Sequence, residues 1–314
     1  MLAGSPAQAA SIDFGAASSY NTFILNNFYG SSDTQGALAV GGTATLEHYS
    51  VGDQLAPTFS GDSLVVGGTL NYLGGRVFYG DVAVGGAANL NSGVYWGLVN
   101  NGQSYQENLG ASGLPVDFDA AGAYLRNLST SLASLPTTGT ATQLWGGVKV
   151  QGDGSSDLQV FTVSGSDLSS STWWHALSSI PSDATILLNI LGDNITLTGG
   201  LQPLEPYSDR VVFNFVEATS INIHGVSVEG SILAPFADIL NAEGVIQGQL
   251  IAKNFSGSLQ QNLNPFQPYG DPGGGASVPE PGSLLLLGSG LAGLVGMAHR
   301  RRRRAAADEA APAP

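Results

Sequence analysis

A mainly β fold, wound as a right-handed parallel β-helix-like solenoid with one long flanking α-helix, is predicted by three observations. Glycine makes up 44 of 314 residues, about twice its usual share, while charged residues are only 11%. With abundant serine, threonine, asparagine and valine, that balance suits short strands joined by tight turns. A small unit recurs as Ala39-Val40-Gly41-Gly42, Val65-Val66-Gly67-Gly68 and Ala83-Val84-Gly85-Gly86, at intervals of 26 and 18 residues. A single stretch, 117–135, changes from strand to helix periodicity.

Irregular periods near twenty residues are the mark of stacked coils rather than of helical bundles. In each unit the glycine pair forms a corner, where φ is positive or a side chain does not fit. A polar-apolar alternation follows each pair, over Thr43 to Leu46, Thr69 to Leu73 and Ala87 to Leu90. Between Asp117 and Leu135 the apolar residues Phe118, Ala121, Leu125, Leu128, Leu132 and Leu135 are spaced by three or four. Asp117 caps this helix and Pro136 stops it. Its apolar stripe packs on the coils, and Asn127, Ser129, Ser131 and Ser134 form the polar face. Further on, Val211 to Phe215, Ile221 to Ile223 and Val226 to Val228 alternate as strands. Ser231 to Ala234 and Gln249 to Ala252 are similar tetrapeptides eighteen residues apart, each preceded by glycine. Phe213, Ile232 and Leu250 therefore stack as one inward column, with Ile186 to Ile190 and Ile195 to Leu197 as the preceding rung. Trp173-Trp174 and the aromatics Tyr20, Phe23 and Phe28 cap the end or side of the stack; for the tryptophans, stacking on sugars is the alternative.

Charge excludes one class of partner. Residues 10–281 carry five basic and twenty-two acidic side chains, a formal charge of −17. Such a body repels nucleic acid, whose binding needs Lys and Arg on phosphate. The same acidity favours solubility outside the cell and can recruit cations between molecules. The chain has no cysteine, so neither disulfides nor thiolate metal sites contribute, and stability rests on burial and backbone hydrogen bonds. About 270 residues are ample for one large core.

Catalytic patterns are absent from the sequence. His48, His175, His224 and His299 share no metal-ligand spacing, and neither a His-Glu-x-x-His helix nor a Gly-x-Ser-x-Gly elbow occurs. Asn222-Ile223-His224-Gly225 is superficially similar to a segment of β-helical polysaccharide hydrolases. Such enzymes need paired carboxylates, which the sequence does not supply beside it. No catalytic residue is assigned and no enzyme is expected. The best local calcium candidate is Gly152 to Asp157, with Asp153 and Asp157 as ligands; a plain surface turn is the alternative. No other cofactor is expected. Thr196 and Thr198 are the only outward threonine pair of the kind an ice-binding face repeats.

The two ends carry addresses. Met1 to Gly15 lacks a basic n-region and a long apolar core, yet Ala7-Gln8-Ala9 fits a small-x-small cleavage site. Residues 1–9 are read as the remnant of a signal peptide, with the body at 10–268. A Gly/Pro-rich linker, 269–278, follows. Then come Pro279-Glu280-Pro281, an uncharged sixteen-residue run over 283–298, and five arginines, Arg300 to Arg304. As a helix the run reaches ~24 Å against ~30 Å of bilayer hydrocarbon, a short single transmembrane helix. The arginines keep their end cytoplasmic and leave the body outside.

Residues 279–304 resemble the C-terminal sorting signal of PEP-CTERM proteins from Gram-negative, exopolysaccharide-forming bacteria. The resemblance implies that an exosortase, a membrane-embedded cysteine peptidase, recognises Pro279, Glu280 and Pro281 and removes the helix. It also makes Arg300, Arg301, Arg302, Arg303 and Arg304 a cytoplasmic retention block. The tail 305–314 departs from the pattern and is expected to be disordered. The body resembles the choice-of-anchor A domain at Asn21 to Phe28, Ser32 to Gly42, Gly230 to Asp238 and Gly248 to Ala252. That domain is an adhesive module found upstream of various surface-anchoring signals. The last two segments are also similar to ice-binding β-helices with a long helix along the coil. Together these imply an exported, non-catalytic surface or matrix adhesin that spans the inner membrane transiently. Its partners would be the exosortase and an extracellular polysaccharide or other surface ligand. A carbohydrate-active β-helix enzyme and an ice- or surface-binding protein are the alternatives.

Overall fold

The computed structural model describes residues 12–269. Strands of two to five residues, separated by corners, fill positions 22–90. They are β1 (Thr22–Ile24), β2 (Phe28–Gly30), β3 (Asp33–Thr34), β4 (Leu38–Val40), β5 (Ala44–Leu46), β6 (Tyr49–Val51), β7 (Asp62–Val66), β8 (Leu70–Tyr72), β9 (Gly75–Val77), β10 (Asp81–Val84) and β11 (Ala88–Leu90). Helix α1 (Ser92–Asn100), β12 (Tyr105–Gln106) and the long helix α2 (Phe118–Ala133) follow. A hairpin of β13 (Thr140–Leu144) and β14 (Gly147–Gln151) leads to β15 (Leu158–Ser164), α3 (Gly165–Ser170) and β16 (Trp173–Trp174). The remaining strands are β17 (Thr185–Leu191), β18 (Asn194–Leu197), β19 (Val211–Phe215), β20 (Ser220–Ile223), β21 (Val226–Val228), β22 (Ser231–Ala242), β23 (Gly244–Gln247), β24 (Leu250–Gly257) and β25 (Gln260–Asn262).

Apart from the hairpin, every strand pairing is parallel; a curled sixteen-stranded sheet holds two ladders, a six-stranded sheet is a third, and β13-β14-β16 stands as a small separate sheet. The first ladder runs β15-β17-β19-β22-β24-β1-β4-β7-β10-β12 and the second β18-β20-β22-β24-β2-β5-β8-β11. The third runs β21-β23-β25-β3-β6-β9. Spatial order departs from chain order at one point: β1 lies between β4 and β24, with Thr22 aligned to both Leu38 and Leu250. The two halves of the chain thus build outward from, and inward to, a shared middle, and α2 spans between them. Phe28, expected at an end or side, is instead buried in the inner core at this middle, because β24 covers the flank of β2. Tyr20 and Phe23 keep the expected side position: their rings lie 5.8 Å apart, and Phe23 packs on Phe118 at 5.4 Å.

The inward column predicted from Phe213, Ile232 and Leu250 is present and longer. Phe161, Leu188, Phe213, Ile232, Leu250, Thr22, Leu38, Leu64 and Val82 align through successive strands and are buried. Thr22, its one polar member, donates to Gln261 Oε1 at 2.6 Å. The same oxygen accepts from Thr34 Oγ1 at 2.5 Å and Tyr49 OH at 3.1 Å, and Tyr72 OH donates to the Tyr49 carbonyl at 2.6 Å. Burial pushes the Tyr49 and Tyr72 phenols far up, so both remain neutral donors.

A second apolar layer lies between the first ladder and α2, where Phe23, Ala39, Val65, Leu233 and Ile251 meet Ala121, Leu125 and Leu132. The Asp117 carboxylate caps α2 by accepting from Ala120 N at 2.9 Å. Ser129 corrects the predicted polar face: it is fully buried against the sheet. Its hydroxyl donates to Asn214 Oδ1 at 2.6 Å, while Asn214 Nδ2 donates to Ser129 O and to Asn189 Oδ1. Asn189 Nδ2 in turn donates to Leu132 O at 3.0 Å. A small hydroxyl satisfied by strand amides fits where a large apolar residue would push the helix off the sheet.

The glycine corners are set by space, not by φ. Gly41, Gly67 and Gly85 have no positive φ. A Cβ at each would lie 2.2 Å from Leu25 O, 2.1 Å from Gly41 O and 2.3 Å from Gly67 O. Each corner therefore rests directly on the backbone of the one before. Gly67→Ala is expected to lower stability by at least ~2 kcal/mol by forcing stacked corners apart. Gly97→Ala, in α1 with nothing within 4 Å, is expected to raise it by up to ~1 kcal/mol through helix propensity. Gln261→Leu strands the buried Thr22 hydroxyl and leaves Thr34 and Tyr49 only their mutual 2.7 Å bond, and should cost about 2 kcal/mol. Urea midpoints at fixed m-value check all three.

Candidate functional site: a polar strand face

The outward side of the second ladder follows from strand alternation. In each three-residue strand the outer positions point inward and the middle one points out. Phe28, Ala44 and Leu70 are buried in this way, as are Leu46 and Tyr72. The middle residues align strand by strand: Tyr29 and Asn89 are exposed, Thr45 and Asn71 half-buried between them. On the other half Thr196 aligns with Asn222 and Asn222 with Leu240, while Ser256 aligns with Tyr29. The result is a row of side chains about 4.8 Å apart, rich in hydroxyl and amide groups.

Hydrogen bonds run along this face. Asn89 Nδ2 donates to Asn71 Oδ1 at 2.8 Å, and Tyr29 OH donates to Glu47 Oε2 at 2.8 Å. That bond to a carboxylate raises the Tyr29 pKa above its ordinary value. A parallel chain crosses the junction of the two halves. Thr43 N donates to Asn27 Oδ1 at 2.9 Å, Asn27 N to Asn254 Oδ1 at 2.8 Å, and Asn254 Nδ2 to Asp238 Oδ1 at 2.7 Å. Lys253 Nζ lies 3.4 Å from the same Asp238 oxygen. Between the two rows lies a shallow groove of about 540 Å³, bordered by Tyr29, Thr45, Leu240 and Ser256 on one side and by Asn27 and Asp238 on the other. Asn71 with Asn89, Tyr29 with Glu47, and Asn27, Asn254 and Asp238 are thus held in place before any partner arrives.

Sequence reasoning did not find this face, although a signal was present. Thr45, Asn71 and Asn89 each lie three residues beyond the second glycine of a repeat. The repeat therefore marks the outward position as surely as it marks the corner.

The candidates named from sequence lie elsewhere. His48 and His224 are exposed in the β5–β6 and β20–β21 turns, both between the second and third ladders but four strands apart. His175 stacks on Trp173 with ring centroids 4.1 Å apart. Trp174 is buried, as a cap should be, whereas Trp173 is 40% exposed. Asp153 and Asp157 sit in the β14–β15 turn. The Asp153 carboxylate accepts from Ser155 N, Ser156 N and Oγ, and Gln159 Nε2, which hold its pKa far below the usual range. Thr198 is exposed beyond the end of β18. Among the described residues, no three His, Asp or Glu side chains converge as a metal site. Ala7 and Ala9, the sorting motif Pro279, Glu280 and Pro281, the span 283–298 and Arg300 to Arg304 all lie outside the described residues. Among the described residues no helix is long and apolar enough to cross a membrane.

A parallel β body that presents an ordered hydrogen-bonding face has the build of a binding domain. The family comparison makes that class specific: an ice-binding-like adhesive domain matches residues 13–263, and the chain belongs to that family. Residues 277–303 match the PEP-CTERM protein-sorting motif. Together the adhesive domain and the sorting motif mark an exported surface protein. Among solved structures, the chain is similar to an ice-binding protein from an Antarctic biological consortium, at 14% identity and a TM-score of 0.34, covering 82% of this chain and 92% of that one. An ice-binding protein from Arctic yeast is similar at 15% identity and a TM-score of 0.33, over 82% and 96% of the two chains. One from the Antarctic ascomycete Antarctomyces psychrotrophicus matches at 17% identity and a TM-score of 0.31, over 82% and 98%. No curated protein matches the chain.

Away from this face, two carboxylates carry raised pKa values: Asp33 through burial and then Asp53, and Asp62 through burial and then Asp81. For an acid raised in the folded state, protonation favours folding. Stability is therefore expected to rise as pH falls from 7 toward about 4, where the unfolded carboxylates also protonate. Thermal melts across that window check the sign.

Proposed function

We propose that this chain is an exported, non-catalytic adhesin of a Gram-negative cell surface or exopolysaccharide matrix. In this reading the three ladders are the faces of a right-handed β-solenoid, and the polar face of the second ladder is the contact surface. One observation carries the proposal: polar side chains repeat at the strand spacing, with Asn89 bonded to Asn71, beside a hydrogen-bonded Asn27–Asn254–Asp238 chain that crosses the junction of both halves. Many weak, repeated contacts suit a partner that is itself extended and repetitive. The membership of an ice-binding-like adhesive family supports the same assignment. The sorting motif supports exosortase processing and delivery to the surface.

Retention of the mature protein on matrix prepared from the producing cells tests the contact surface. The variant Thr45→Lys/Asn71→Lys/Tyr29→Lys is expected to lose at least tenfold in retention while melting within a few degrees of wild type; unchanged retention would remove this face from the adhesive role. Mass spectrometry of the mature C-terminus tests the processing. With an exosortase present the chain is expected to end near Pro281, and a chain ending at Pro314 with and without the enzyme would overturn it.

Ice binding is the second reading, favoured by the family match. The row contains two threonines among asparagine, serine, tyrosine and leucine, so its spacing is regular while its chemistry is not. Absence of thermal hysteresis in the purified protein would set this reading aside.

A further inference from the structure

A second surface stands apart from the polar face, on the small sheet β13-β14-β16. Its outward side follows from register. Leu144, Gly147 and Trp173 align in one row, and Thr142 with Lys149 in the next. His175 continues β16 beside Lys149, its N–H donating to Val148 O at 2.9 Å. The intervening Val148, Val150 and Trp174 point into the core. Trp145 stands at the tip of the hairpin and is 83% exposed.

The rings form an ordered row. Trp173 and His175 have centroids 4.1 Å apart, and His175 and Trp145 6.3 Å apart. His175 Nε2 lies 2.9 Å from Leu144 O, which fixes the imidazole between the two indoles. Gly147 makes the row possible, since a Cβ there would lie 2.8 Å from Trp173 Cε2. Trp145 has φ of 50°, a conformation that bulky side chains rarely adopt. The hairpin thus holds a large indole outward at a backbone cost, whereas Trp174, one residue from Trp173, shows how the same side chain is used as core.

Around the rings lie hydrogen-bonding groups. Thr140 and Thr142 are exposed and Lys149 is half-exposed, with Gln151 aligned to Thr140. Lys149 makes no ion pair among the described residues, unlike Arg210 and Lys253. An ammonium beside flat indole and imidazole faces offers three donors and no acceptor. Pyranose rings match this combination. Their axial C–H bonds present a weakly positive face to the negative face of an indole, and their equatorial hydroxyls reach donors and acceptors at the edge. Charge selects among such chains. The body carries −17, so a polyanionic glycan is repelled, whereas an uncharged one approaches without that cost.

We propose that the outward face of β13-β14-β16 is a binding site for an uncharged hexopyranose chain, stacked on Trp173, His175 and Trp145 and hydrogen-bonded by Lys149 and its threonine neighbours. The site is independent of the polar face and of its adhesive reading.

Isothermal titration of the mature protein with cellohexaose, laminarihexaose, maltohexaose and hexagalacturonate tests it. At least one neutral hexamer should bind, with affinity reduced at least tenfold by Trp173→Ala and by Trp145→Ala and severalfold by Lys149→Met. Trp96→Ala, on the exposed side of α1, should leave it unchanged. Circular dichroism melts confirm that the variants fold; both replaced tryptophans are exposed, so folding is expected. Four results would overturn the site: no neutral hexamer binds, hexagalacturonate binds more tightly than all of them, Trp173→Ala and Trp145→Ala bind as wild type, or the free protein is a dimer that Trp145→Ala dissolves.

Discussion

Everything in this molecule depends on the seam where β1, near the start of the domain, pairs with β24, near its end. Parallel hydrogen bonds align Thr22 with Leu250 and Phe28 with Phe255, and side chains lock the seam from both faces. Inside, Gln261 accepts from Thr22, Thr34 and Tyr49. Outside, Gln249 Nε2 donates to the carbonyls of Ala17, Ser18 and Tyr20, and Asn21 Nδ2 donates to those of Gly248 and Asn262. A buried amide can satisfy partners in both halves only when both are in place, so the seam fixes register as well as contact. Without it, each half would expose a sheet edge of unpaired backbone groups, the usual route to aggregation.

The seam also separates what the sequence shows from what it hides. Local periodicity is legible. The three-four spacing from Phe118 to Leu135 marks α2, and alternation around Phe213, Ile232 and Leu250 marks an inward column. Neighbour relations between distant strands are not legible, because every short strand with an apolar inner face is compatible with many partners. Phe28 therefore reads as a peripheral aromatic, although it occupies the centre. Ser129 reads as polar surface for a related reason: nothing near it announces that Asn214 and Asn189, on strands much further along the chain, will meet it. The polar face lies between these extremes. Its position is encoded three residues beyond each glycine pair, yet the residues there vary, so only the geometry of the strands shows that they form one row.

That row and the sugar-like platform of β13-β14-β16 use opposite physical means. On the row, small polar groups satisfy one another and present a broad surface on which no single contact dominates. On the small sheet, three rings and one unpaired ammonium are concentrated in a compact patch. An acidic body bearing both surfaces stays soluble through its charge and confines attraction to places where hydrogen bonding or stacking outweighs repulsion.

The long helix has a consequence for how such proteins can change. From Leu132, which accepts from Asn189 on β17, to Phe118, which packs beside Gly41 after β4, α2 crosses six neighbouring strands. Five strand spacings come to about 24 Å, and sixteen residues of helix to the same length. The helix is therefore a ruler. A strand gained or lost between β17 and β4 would need about three helical residues added or removed in the same event, and in phase with the apolar stripe. Strands beyond either end of the ruler face no such condition. Lineages carrying this architecture should vary in length at the two ends of the stack and stay constant in the middle.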